Sequence, residues 1–132
     1  MSRILVVDDE SEMVLVLKRY FNRQGFEVTT ASRGQIALDI LARSSPEIDL
    51  MILDMRMPGK RGIAVLLEMK KKRIEVPAII LTGSLNYSGF VEIMLTLGYT
   101  EEDVLYKPVS LEKLLNLVNQ KLDKAKKATP KD

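Results

Sequence analysis

Four points in the sequence place groups capable of phosphoryl or metal chemistry directly after short apolar runs. They are Asp8-Asp9-Glu10 after ILVV, Asp54 after LMIL, Thr82 after AIIL and Lys107 after VLY. Adjacent carboxylates behind an apolar run repel one another and resist burial, and a divalent cation with oxygen ligands relieves both penalties. Mg2+ suits such a site because it keeps several waters and accepts one or two carboxylates together with phosphate oxygens; Mn2+ is the alternative. Asp8, Asp9 and Asp54 sum to −3, and one Mg2+ with Lys107 supplies +3. A neutral cluster with open metal positions admits a phosphoryl group, and an aspartate can attack phosphorus to form an acyl phosphate. The loose transition state of that transfer needs positioning and charge neutralisation rather than a strong base. Thr82 offers a hydroxyl donor and Lys107 a mobile ammonium. Plain structural roles stand beside these. Asp8 and Asp9 alone would also suit the positive end of a following helix, and Thr82 alone is an ordinary strand end. The gathering of Asp54 and Lys107 with the acidic pair favours chemistry.

Composition narrows the choice. The 132 residues include no Cys and no His, which excludes a disulfide framework, a Cys/His zinc site, a thiol nucleophile and a His-based triad. Lys and Arg number 20 against 18 Asp and Glu, a net charge of +2, so direct nucleic-acid binding is not expected. No stretch approaches the ~20 apolar residues of a membrane span, and no signal-peptide run follows Met1. A soluble cytoplasmic protein without a membrane partner is the expectation.

The elements that must position these groups follow from periodicity. Apolar runs at Ile4–Val7, Val28–Ala31, Leu50–Leu53, Ala78–Leu81 and Val104–Tyr106 suit strands buried on both faces. Between them lie amphipathic helices. The first has Ser11 as N-cap and stops at Gly25; the others cover about Gly34–Arg43, Gly62–Lys72, Gly89–Leu97 and Leu111–Lys126. Strict alternation predicts an α/β fold, a doubly wound five-stranded parallel sheet of (βα)5 type. Such sheets collect functional groups at the carboxyl ends of their strands. Residues 1–123 form the expected domain and 124–132 a basic C-terminal tail or linker remnant.

The ordered motifs ILVVDDE, LMILDMRMPGKRG, AIILTG and LYKP, with VTTASRGQIAL, resemble the receiver domain of two-component response regulators over about residues 3–122. The resemblance implies the flavodoxin-like receiver fold, with Asp54 as phosphoacceptor. Asp9 would bind Mg2+ directly, Asp8 would help, often through water, and the backbone carbonyl of Arg56 would add a ligand. Thr82 and Lys107 would contact the phosphoryl group, and the Lys107–Pro108 bond would be cis. The implied donor is a phosphohistidine on a sensor histidine kinase or histidine phosphotransfer domain, which fits a chain without histidine. The implied role is regulatory: a phosphoprotein in signal transduction or a phosphorelay, catalysing only its own phosphorylation and dephosphorylation. Its fourth helix and fifth strand would meet a downstream protein or a second copy. No effector segment fits after residue 132, so a single-domain regulator or an excised receiver is expected.

The sequence also departs from the family pattern. Thr82 to Lys107 is 25 positions, about three longer than usual, with the excess near Gly98–Asp103. Where the family commonly has Tyr or Phe three residues before the lysine, this chain has Val104, and Tyr106 lies beside the lysine on the same strand face. The fourth helix, with Phe90, Val91, Ile93, Met94, Leu95 and Leu97, suits either a buried helix or an output or dimer interface. Lys70–Arg73 reads as a solvated helix end. Lys60, Arg61 and Arg56 would make the mouth of the acidic site more positive. Three rival readings remain. An aspartyl-nucleophile phosphatase generally carries a second aspartate where this chain has Arg56. A flavin carrier would need a Ser/Thr-rich phosphate loop. A receiver signalling without phosphorylation would not need Asp54, Asp9, Thr82 and Lys107 intact.

Overall fold

Near-continuous apolar runs need cover on both faces of a sheet. The computed structural model, which describes residues 2–44, 47–55, 62–83 and 88–128, provides that cover. Strands β1 (Arg3–Val7), β2 (Glu27–Ala31), β3 (Leu50–Asp54), β4 (Ala78–Thr82) and β5 (Val104–Tyr106) form one parallel sheet in the order β2-β1-β3-β4-β5. Helices α1 (Ser11–Arg23), α2 (Gly34–Ser44), α3 (Gly62–Lys71) and α4 (Ser88–Thr96) lie in the connections, and α5 (Leu111–Ala128) follows β5. Alternate strand residues face opposite layers. Ile4, Val6, Leu50, Ile52, Ile79 and Leu81 pack with Leu17 and Phe21 of α1 and Leu114 and Val118 of α5. Leu5, Val7, Met51, Leu53, Ile80 and Val104 pack with α2, α3 and Met94 of α4. This is the doubly wound α/β architecture expected from the alternation, and no described helix is long and apolar enough to cross a membrane.

Local chemistry explains most element ends. α1 closes at Gly25, whose φ of 92° favours glycine. Phe26 N–H then returns to the Phe21 carbonyl at 3.0 Å, and the two rings meet edge-on at 5.7 Å. At its other end Glu10, not Ser11, is the N-cap; Ser11 is the first helical residue. α5 runs to Ala128, so the helix continues through the first part of the basic tail. Lys70, Lys71, Lys72 and Arg73 are all exposed at the end of α3, in keeping with a solvated helix end.

α4 divides between the two readings of its apolar residues. Met94 belongs to the core, whereas Ile93 and Leu95 are exposed; the side chains of Phe90 and Val91 lie outside the described residues. The connection from α4 to β5 contains a 3-10 turn, Glu101–Asp103, closed by a reciprocal capping box between Thr100 and Asp103. Asp103 also pairs with Lys121 of α5. Tyr99 packs on the core, where burial and then Asp103 push its phenol pKa up.

Candidate functional site

In this strand order the chain leaves β1 toward β2 and returns to its other side as β3, so the sheet's switch point lies between the carboxyl ends of β1 and β3. The acids sit there. Asp8 continues the ladder one step past β1, its N–H donating to the Ala31 carbonyl at 3.1 Å. Its side chain is 1% exposed. Asp8 Oδ1 accepts the Glu10 N–H at 3.0 Å, while Oδ2 is the one buried side-chain oxygen without a hydrogen-bond partner among the described residues. Asp54 is the last residue of β3 and is buried. Behind it α3 begins at Gly62, where a Cβ would lie 2.8 Å from the Asp54 carbonyl oxygen and 2.9 Å from Met55 Cα. Only glycine fits that approach.

Thr82 ends β4 and is buried opposite Tyr106 in the register. Its carbonyl accepts the Lys107 N–H at 2.8 Å, which anchors the lysine at the same sheet edge. The Lys107–Pro108 bond is cis, as the resemblance implied. Lys107 Nζ then reaches Asp54 Oδ2 and Glu10 Oε1 at 3.3 Å each, and Asp8 Oδ2 at 3.7 Å. Tyr106 is 43% exposed, while Val104 on the same strand face is buried.

Electrostatics match the crowding. Burial, reinforced by the nearby Asp54 charge, raises the Asp8 carboxyl from 3.8 to about 6, against the lowering effect of the Glu10 N–H and of Lys107. Burial alone would lower the Lys107 pKa, but Asp54, then Asp8 and Glu10 outweigh it and the net shift is upward.

Asp8, Asp54 and Lys107 are therefore brought together as expected, with Thr82 on the neighbouring strand end. Asp9 is exposed and stands outside the group of three carboxylates whose oxygens lie within 4.8 Å of one another; that group is Asp8, Glu10 and Asp54. Arg56, Lys60 and Arg61 lie outside the described residues. Residue order alone did not single out Glu10 from its acidic neighbours; in the structure its backbone is extended, at φ −82° and ψ 104°, and its carboxylate joins those of Asp8 and Asp54. Among the described residues the three acids carry −3 against the one positive charge of Lys107. An all-oxygen donor set with that deficit, and with one buried oxygen that accepts no hydrogen bond, fits a hard divalent cation.

Comparison with known proteins gives the same picture. A family model described as response regulator receiver domain matches residues 4–119. The response regulator SaeR of Staphylococcus aureus is 35% identical over 127 residues, 96% of this chain and 53% of SaeR. The chain thus spans about half the length of the curated relatives it matches. A receiver domain protein from Clostridium thermocellum superposes with a TM-score of 0.86 at 32% identity, covering 98% of this chain and all of the other. The response regulator TrrA of Thermotoga maritima, solved in complex with Mg2+ and BeF, gives 0.77 at 31% identity over 92% of this chain and 99% of its own. The sheet order, the acids at its switch point and the family match agree: the chain belongs to the response regulator receiver domain family of two-component systems.

Proposed function

We propose that this receiver is an Mg2+-dependent phosphoacceptor switch in which Asp54 takes a phosphoryl group from a phosphohistidine of a sensor kinase or phosphotransfer domain. The observation that carries the reading is the convergence of Asp8, Glu10 and Asp54 on Lys107, with negative charge in excess among the described residues and a buried Asp8 oxygen that accepts no hydrogen bond. An Asp54 carboxylate oxygen forms the bond to phosphorus as the donor's P–N bond breaks, and the electron pair leaves with the partner's imidazole. Asp8, Asp9, Asp54 and the Arg56 carbonyl would hold the cation, with Glu10 beside them. When bound, it neutralises phosphoryl and carboxylate charge. That the Thermotoga relative was solved with Mg2+ and BeF supports a cation as part of the site. Lys107 and Thr82 receive the new phosphoryl oxygens.

Phosphorylation adds about −1.5 to −2 of charge. Because the Lys107 N–H is bonded to the Thr82 carbonyl, a pull on either residue acts on β4 and β5 together. The exposed Ile93 and Leu95 of α4 and Tyr106 of β5 support output through these two elements to a downstream protein or a second copy. The reaction is confined to the chain's own Asp54, as befits a regulatory domain. Intact mass after incubation with Mg2+ and acetyl phosphate tests the reading. Wild type should gain about 80 Da, one phosphoryl group, and Asp54→Ala should gain nothing; an unmodified wild type overturns it.

A further inference from the structure

We propose that Glu10 is a positioning residue for this reaction, a carboxylate latch that holds the Lys107 ammonium in the resting protein and gives it up to the arriving phosphoryl group. The inference rests on the phosphoacceptor reading and concerns what sets the lifetime of the product. Lys107 Nζ stands 3.3 Å from Glu10 Oε1 and 3.3 Å from Asp54 Oδ2. Charge-assisted N–H···O bonds prefer about 2.7–2.9 Å, so the ammonium is stretched between two acceptors and seated on neither.

The two acceptors differ in environment. The Asp54 side chain is 3% exposed and that of Glu10 64%. Glu10 can therefore swing into water at little desolvation cost, whereas Asp54 cannot. The base of the latch is fixed on both sides: the Glu10 N–H donates to Asp8 Oδ1 at 3.0 Å, and its carbonyl accepts Val14 N–H at 3.0 Å. Glu10 also occupies the N-cap of α1 without any side-chain capping bond, a position where short polar side chains normally cap the helix. Its carboxylate is turned instead toward Lys107.

With a phosphoryl group on Asp54, Glu10 becomes a like-charged neighbour competing for one ammonium. Removing its charge should leave Lys107 on the phosphoryl oxygens and prolong the acyl phosphate. Glu10→Gln keeps the reach and removes the charge. Two measurements decide. In metal-free protein, brief acylation with acetic anhydride, read by peptide mass against the exposed Lys18, should label Lys107 about threefold faster in the variant, the size expected of a partly exposed ion pair. At saturating Mg2+, the half-life of the acyl phosphate after donor removal should lengthen by about threefold at low salt, and that difference should shrink in about 1 M KCl. Glu10→Asp, which keeps the charge, should restore the wild-type half-life at least in part. Unchanged Lys107 labelling, an unchanged or shortened half-life, or a difference insensitive to salt overturns the latch. A wild type that takes up no phosphoryl group fails the phosphoacceptor reading itself, and the latch with it. A phosphorylated wild type indistinguishable from Glu10→Gln fails the latch alone.

Discussion

Two lysines in the C-terminal half reach carboxylates across the fold from nearly equal depth, Lys107 with 20% of its side chain exposed and Lys121 with 18%. Their surroundings are opposites. At Lys121 the partner Asp103 uses both oxygens, Oδ1 for the ammonium and Oδ2 for the Thr100 N–H, and Thr100 Oγ1 accepts the Glu102 N–H in turn. At Lys107 one ammonium stands among three carboxylates, none closer than 3.3 Å, and Asp8 Oδ2 lacks a hydrogen-bond partner. A pair with its valences closed fixes a segment in place. A cluster with surplus charge and an open oxygen raises the energy of the resting state, and a ligand that neutralises it recovers that energy on binding.

The most direct way to break this contrast is the same change, Asp to Asn, at both sites. Asp8→Asn should stabilise the metal-free protein by about 3 kcal/mol at about pH 8, because burial and Asp54 raise that carboxyl from 3.8 to about 6. The native state holds the Asp8 proton more tightly than the unfolded chain does. Its contribution to stability is therefore intact below about pH 4 and lost as the pH rises to about 6. The advantage of Asn should fall to about half at about pH 5, and Mg2+ should stabilise wild type more than the variant. Denaturant titrations with EDTA and with Mg2+ measure both, and a destabilised Asp8→Asn would break the contrast.

Next in size is Gly62→Ala, which crowds the Asp54 backbone from behind and should cost about 2 kcal/mol in the same titrations. It sharpens the comparison, since relieving charge at the front of the site stabilises while filling the space behind destabilises. The smallest effect belongs to Asp103→Asn, which keeps an acceptor for Thr100 but loses the charged bond to Lys121. About 1 kcal/mol of destabilisation is expected, with the Mg2+ response unaltered. A changed Mg2+ response there would show that the two lysine sites are coupled.

Much of this was legible in the residues. Parallel strands covered on both faces read as unbroken apolar runs, so β1, β3 and β4 announce themselves, and Asp54 and Thr82 follow as the last rungs of their ladders. Asp8, Asp54 and Lys107 could be grouped because strand ends in such a sheet converge. Less legible was which of Asp8-Asp9-Glu10 turns inward. The order of residue types favoured the adjacent pair, but the chain bends at Asp9, and it is the first and third acids whose oxygens meet in the cluster. Ser11 has the better capping side chain, yet the helix starts one residue earlier because Glu10 already accepts Val14 N–H. Alternation correctly put Val104 and Tyr106 on one face, but β5 ends at Tyr106 and leaves that ring 43% exposed. The apolar surplus of α4 could not be divided from periodicity alone, because Met94 and its immediate neighbours are all apolar and only packing separates them.

The connection from α4 to β5 has a mechanical consequence. Leu97, Gly98, Tyr99, Thr100, Glu102 and Asp103 each donate their N–H within it or to the end of α4, and Asp103 bolts it to α5. Length ordinarily means play in a joint. Here the segment is braced as a connecting rod is rather than a cable, so a displacement of β5 should push on α4 as well as pull on it.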